Sequence, residues 1–310
     1  MHRKLTLQSL SRVFASLDAV RNGPALYALL ATFCFAGLLL AMAEAEADLA
    51  RADQLWGGIW GVCSVLVAFY GVNTTGLILM DQAQGRPLRD VQDAFFDALR
   101  CAHRGALSVL ALLLMAALLL ALLLGLLWAV RLPRIGTALF ALLVPLGVLM
   151  LGGMALAGAV LVGPLTGPSI WAGQTTRTTI RMMLSHMRYR LLDVAALMGT
   201  VLALTAVMSA AVSLVLMAGG RAMALLSIWV AGVDVPPQQL MAGLFGYGLR
   251  SLGASGLPAT ASATGQLTAA LIGGGAVFAL ALVLPTLLYL RGCCAVYLAL
   301  QDTPVEDATL

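Results

Sequence analysis

Long uncharged stretches broken by short charged ones set the pattern of this chain. Six runs hold no Asp, Glu, Lys, Arg or His: Ala25–Ala43, Gly57–Met80, Gly105–Val130, Ile135–Val162, Val194–Gly219 and Leu267–Leu290. A helix crosses the hydrocarbon core of a bilayer in about 20 apolar residues, and each run meets that length. The runs are continuous and lack the strict alternation of a barrel strand, so helices are expected. The pattern predicts an all-α polytopic protein with six transmembrane helices, forming a single transmembrane domain over residues 1–310.

A second periodicity occupies the polar segments. Leu10, Val13, Phe14 and Leu17 recur at helical spacing before the first run. Leu88, Val91, Phe95, Leu99 and Ala102 do so before the third, with Asp90, Asp93, Asp97, Arg100 and Arg104 on the opposite side. Acids at the start of such a helix and bases at its end suit the helix dipole. Before the fifth run, Ile180, Met183, Leu184, Met187 and Leu191 share a face, flanked by Arg177, Arg181 and Arg188. The first two segments align without a gap, Phe14 on Phe96, Leu17 on Leu99 and Gly23 on Gly105. Three pseudo-repeats follow, approximately 1–80, 81–162 and 168–291, each a cytoplasmic amphipathic helix feeding a transmembrane hairpin, with 292–310 as a short cytoplasmic tail. Helices of this kind lie in the membrane interface. Arg177, Arg181, Arg188, Arg100 and Arg104 are then candidate contacts for anionic lipid or for a partner, unless they serve only to anchor and orient the hairpins.

Charge fixes the expected orientation. With the N-terminus inside, cytoplasmic segments hold 13 of the 18 Arg and Lys residues and the opposite side 5, as the positive-inside rule requires. Both termini are thus read as cytoplasmic. The first external loop is acidic, with Glu44, Glu46, Asp48 and Asp53, and Trp56, Trp60, Trp128 and Trp171 stand at run ends, where indoles favour headgroups. Ala41-Met42-Ala43 resembles a signal-peptidase site, but the preceding segment and apolar run are long for a secretory signal, so an uncleaved first helix is expected. Gly220–Gln266 is the longest external segment: Ala224–Val233 is too short to span and reads as re-entrant or interfacial, Gln239–Leu252 as a short helix, and Ser251–Gln266 as a flexible loop.

Composition agrees. Hydrophobic residues make up 61% and charged residues 10%, against about 25% charged in a soluble domain. The net charge of +4 is spread thinly, with Lys4 the only lysine, and forms no stripe of the kind nucleic acid demands. High alanine, leucine and arginine with compact loops point to the bacterial inner membrane.

Little chemistry is written in the side chains. His2, His103 and His186 are read as solvated or interfacial, and the five cysteines, Cys34, Cys63, Cys101, Cys293 and Cys294, imply neither a disulfide framework nor a zinc site. Phosphate-binding, dinucleotide, metalloprotease and nucleophile-elbow motifs are missing, so no catalytic residue, cofactor or metal is assigned. Asp81, Asp193, His103 and His186 are the candidates for an embedded enzyme, and they form no recognisable set. Spans without ionisable residues argue against a proton- or sodium-coupled carrier. Asn73, Thr74 and Thr75 form the most polar intramembrane patch, read first as interhelical hydrogen bonding and second as a substrate contact. Pro145 and Pro285 are expected to kink their helices. The glycines 152, 153 and 158, and 273 to 275, either permit close helix approach or line a cavity.

The order of elements, with the stretches Phe14 to Gly23, Phe96 to Gly105 and Leu287-Leu288-Tyr289-Leu290-Arg291, resembles the YciC-like and Yip-type families of six-span membrane proteins over nearly the whole chain. That resemblance implies a role in membrane organisation, trafficking or assembly. The sequence therefore points to a non-enzymatic inner-membrane scaffold or accessory subunit, its partners being lipids and a membrane protein or further copies of itself. The alternative is a permease subunit for a lipid or hydrophobic solute, partnered with an ATPase.

Overall fold

A computed structural model of the chain describes residues 14–47, 54–131, 136–231 and 261–302. After a 3-10 turn, Ala15–Arg21, the described residues form eight α-helices. These are α1 Gly23–Ala47, α2 Gln54–Ala83, α3 Val91–Ala129 and α4 Gly136–Ala157. A π turn, Gly158–Val162, leads into α5 Gly163–Trp171, followed by α6 Thr176–Tyr189, α7 Leu191–Ala231 and α8 Ala261–Gln301.

Six stretches are long and apolar enough to cross a membrane: Gly23–Ala43, Leu55–Ala83, Val91–Ala129, Leu139–Trp171, Leu191–Val230 and Ala279–Gln301. Each uncharged run of the sequence overlaps one of them. Large apolar side chains on α3, α4 and α7, among them Leu118, Leu149 and Leu214, face outward. Such a surface is costly in water and natural in lipid, where a helix satisfies its own backbone.

The boundaries differ from expectation in four places. The fourth span runs past Val162 to Trp171, because the π turn shifts the register and brings Pro164 into the first turn of α5, where a missing N–H costs little. Helix α8 continues beyond Arg291 to Gln301, so 292–301 is not a tail. The apolar pattern resumes there, and Cys293, Cys294, Ala295, Val296 and Tyr297 are all buried. Helix α7 passes unbroken through Gly219-Gly220-Arg221 to Ala231, so residues 224–231 prolong the fifth span and do not turn back. The proposed loop at 251–266 is helical from Ala261; 251–260 and the helix expected at Gln239–Leu252 lie outside the described residues.

Helix α3 shows why the second amphipathic segment is not a separate element. Asp90, at φ −67° and ψ 151°, caps it by accepting from the Val91 N–H at 2.8 Å, and the helix then runs 39 residues without a break. That is about 58 Å at 1.5 Å per residue, nearly twice the hydrocarbon thickness. Its buried stripe is Ala94, Ala98, Ala102, Ser108 and Leu112, while Leu88, Phe95 and Leu99 of the expected stripe are exposed. Small residues let neighbouring helices approach, and large apolar ones beside a bilayer lose nothing by facing outward. At the first segment, Leu10 and Val13 lie outside the described residues, and Phe14 and Leu17 are exposed beside the 3-10 turn.

The helices form two compact units, Met1–Leu17 with Gly76–Val201 and Leu290–Leu310, and Asp18–Thr75 with Leu202–Tyr289. In the second, Asn22 caps α1 by accepting from the Ala25 N–H at 3.1 Å. There α1 and α2 meet closely, the Ser64 hydroxyl donating to the Ala36 carbonyl at 2.7 Å and Gly71 lying where a methyl group would overlap Thr32. The first unit holds the ion-pair clamp and the basic surface described below.

Candidate functional site

Two helix ends in the first unit are built alike. At the end of α2 the Gly85 N–H donates to the Gln82 carbonyl at 3.2 Å and the Arg86 N–H to Asp81 at 2.9 Å. At the end of α5 the Gly173 N–H donates to Ile170 at 2.9 Å and the Gln174 N–H to Ser169 at 3.1 Å. Both glycines are left-handed, at φ 67° and 88°, which completes a Schellman stop in each case. Each stop is soon followed by a capped helix, α3 from Asp90 and α6 from Thr175, whose hydroxyl accepts from the Thr178 N–H at 3.4 Å.

An ion-pair clamp holds the first of these junctions. Arg89 reaches back to Asp81 through Nε at 2.7 Å and Nη2 at 3.1 Å, and forward to Asp97 through Nη1 at 2.9 Å. Asp81 is buried, and a carboxylate in that position needs a partner. Arg89, left out of the candidate residues, therefore ties the end of α2 to the second turn of α3. Acid and base at eight-residue spacings across a left-handed glycine match no helical pairing rule, which is why the pattern is silent in the sequence.

Helix α6 is held against α3 and α5. Thr176 Oγ1 donates to the Arg104 carbonyl at 3.4 Å, and the Ser169 hydroxyl donates to Thr179 Oγ1 at 3.2 Å. The inward face of α6 is Thr179, Met183 and His186, so of the expected apolar face only Met183 is fully buried. Ile180 and Leu184 are half-buried and Met187 exposed. Ile180 and Leu184 instead line, with Thr176, Arg177 and Arg181, a shallow open groove along the helix. Arg190, at φ −137° and ψ 18°, ends α6, its N–H donating to the His186 carbonyl at 2.8 Å.

The five candidate arginines are all exposed. The bond from Thr176 to the Arg104 carbonyl fixes the first turn of α6, which carries Arg177, against α3 at Arg104. Arg188 stands apart at the far end of α6, with its guanidinium 5.2 Å from the Tyr189 ring centroid. Asn73 Nδ2 donates to the Phe69 carbonyl at 2.8 Å, Thr74 to Tyr70 at 2.8 Å and Thr75 to Gly71 at 3.0 Å. These three bonds run one turn back within α2.

Other expectations also change. His186 is only 8% exposed, where a solvated ring was expected. Its Nδ1 lies 2.8 Å from the Met182 carbonyl. Burial pushes its pKa below the ordinary 6.5, the Arg190 charge adds to this, and the backbone bond opposes it. His103 and Asp193 are exposed and do not join it. Trp171, at the end of the fourth span, is not exposed to the surroundings: it is 7% exposed, its indole lying over Gly76. Glycines 152, 153 and 158 have nothing close enough to meet a methyl group, so they mark no tight crossing among the described residues. Close approach occurs at Gly71, Gly76 and Gly292. The surroundings of glycines 273 to 275 lie outside the described side chains.

No three or more His, Cys, Asp or Glu side chains come together as metal ligands among the described residues. Comparison with family models, with characterised proteins and with solved structures finds no match to this chain.

Proposed function

We propose that this chain is a non-enzymatic scaffold or accessory subunit of a bacterial inner-membrane complex. In this reading its six spans form three hairpins entered from amphipathic interfacial segments, and both termini face the cytoplasm. The observation that carries it is the first unit itself. Helix ends are locked there by the Arg89 clamp and by paired Schellman stops, and an exposed basic surface is held at fixed geometry on α3 and α6. A rigid, charged platform on top of lipid-facing helices suits assembly with lipid and with a partner protein or further copies of the chain. Affinity purification of the full chain in mild detergent should recover a stoichiometric membrane-protein partner. A solitary monomer, together with normal membrane assembly when the chain is deleted, would defeat this reading.

One observation favours a permease subunit as the second reading. The fourth span carries Pro145, a π turn at Gly158–Val162, Pro164 and Pro168, and π turns inside helices are frequent at functional sites. Nucleotide hydrolysis stimulated by a hydrophobic solute in the purified complex would select it over the scaffold.

A further inference from the structure

We propose that the groove along α6 seats an anionic phospholipid, its phosphate between Arg177 and Arg181 and its glycerol and upper acyl chain against Ile180 and Leu184. This rests on the chain being embedded in a membrane and deepens the lipid contact of the proposed function, but it does not depend on the scaffold role. Three observations carry it.

The first is the lining. Thr176, Arg177, Ile180, Arg181 and Leu184 line one shallow open groove along α6, its floor apolar, with the half-buried Ile180 and Leu184 beside the stems of two exposed arginines. That mixture matches a molecule with a charged head and an apolar body. A free anion would have no use for Ile180 and Leu184, and a purely apolar helix would strand the arginines.

The second is depth. Thr176 bonds to the carbonyl of Arg104, and Arg104 is the last charged residue before the uncharged run Gly105–Val130 of α3. The start of α6 is thereby fixed where a span leaves hydrocarbon. The helix before it ends a span at Trp171 and the helix after it begins one at Leu191, so α6 lies at headgroup level.

The third is charge. Arg177 and Arg181 are exposed and form no ion pair with an acidic side chain among the described residues. Guanidinium groups bind phosphate through paired N–H donors, and basic surfaces at this depth attract anionic headgroups.

The test is a titration of the full chain in mild detergent, read by native mass spectrometry, with phosphatidylglycerol, phosphatidylcholine or inorganic phosphate. Phosphatidylglycerol should bind more tightly than phosphatidylcholine and resist displacement by phosphate. Replacing both arginines, Arg177→Gln with Arg181→Gln, should weaken phosphatidylglycerol binding roughly 30-fold, at about fivefold per surface arginine. Arg188→Gln, outside the groove, should leave it unchanged. A photo-crosslinker at position 180 in an otherwise unaltered chain gives a readout independent of those variants and should yield a lipid adduct in native membranes. Equal binding of the two lipids, displacement by phosphate, unchanged binding in the double variant, or a protein adduct at position 180 would each overturn the proposal. Absence of selective phosphatidylglycerol binding in a chain that still recovers its partner would overturn this proposal and leave the scaffold reading standing.

Discussion

At His186 a single contact decides the chemistry. The Met182 carbonyl can only accept, so Nδ1 carries the ring proton and the lone pair is left on Nε2, which is buried without a hydrogen-bond partner. A second proton would put a charge into that space, so burial and the nearby Arg190 hold the pKa below 6.5. A histidine with a depressed native pKa binds fewer protons folded than unfolded. Its contribution is intact above about pH 6.5 and is lost as pH falls from there toward the lower native value. Thermal stability in detergent should therefore drop between pH 7 and pH 5, with a slope of at most about 1.4 kcal/mol per pH unit, and His186→Gln should flatten that drop. Identical profiles for the two proteins would remove His186 from the account. In the sequence this residue is one histidine among arginines, and the spacing that buries it with Thr179 and Met183 could be seen only after the packing face of α6 was known.

Among the elements, the contact between α2 and α5 depends on one missing side chain. A methyl group at Gly76 would lie 2.3 Å from the Trp171 ring, and the ring is buried and cannot swing away. Gly76→Ala should lower stability by about 1–3 kcal/mol, the usual cost of overpacking, measured as the thermal midpoint in detergent. Adding Trp171→Leu should restore part of it. A Gly76→Ala protein as stable as the parent would mean that the two helices do not meet as described. The sequence offered Gly76 as one of many glycines inside spans and drew attention to the denser clusters. Density was a poor guide, because close approach depends on what stands opposite, as at Gly71 facing Thr32 and Gly292 facing Val201.

For the whole molecule, the topology proposed from the six spans and the arginine bias has a direct test. In a cysteine-free background, single cysteines at positions 86 and 181 should label from the cytoplasmic side with a membrane-impermeant maleimide, and one at position 131 only from the opposite side. Labelling of 86 and 131 from the same face would refute the three-hairpin arrangement. The spans themselves were plain in the sequence because the cost of charge in hydrocarbon acts on each stretch separately. Their ends were less so. Helix α8 carries Arg291 inward, buried with the apolar residues around it, since a charge that would end a lipid-facing helix is tolerated where protein surrounds it.

What the sequence alone determined is the set of six apolar helices and the exposed basic character of Arg100, Arg104, Arg177, Arg181 and Arg188. Each of these follows from local chemistry: the cost of carrying a segment or a charge into lipid. The Arg89 clamp, the burial of His186 and Trp171, the small-residue face of α3 and the groove on α6 were decided by the tertiary structure. They depend on which surfaces meet across separate helices, and in a chain whose large apolar residues may face lipid as well as protein, hydrophobicity no longer says which side is the inside.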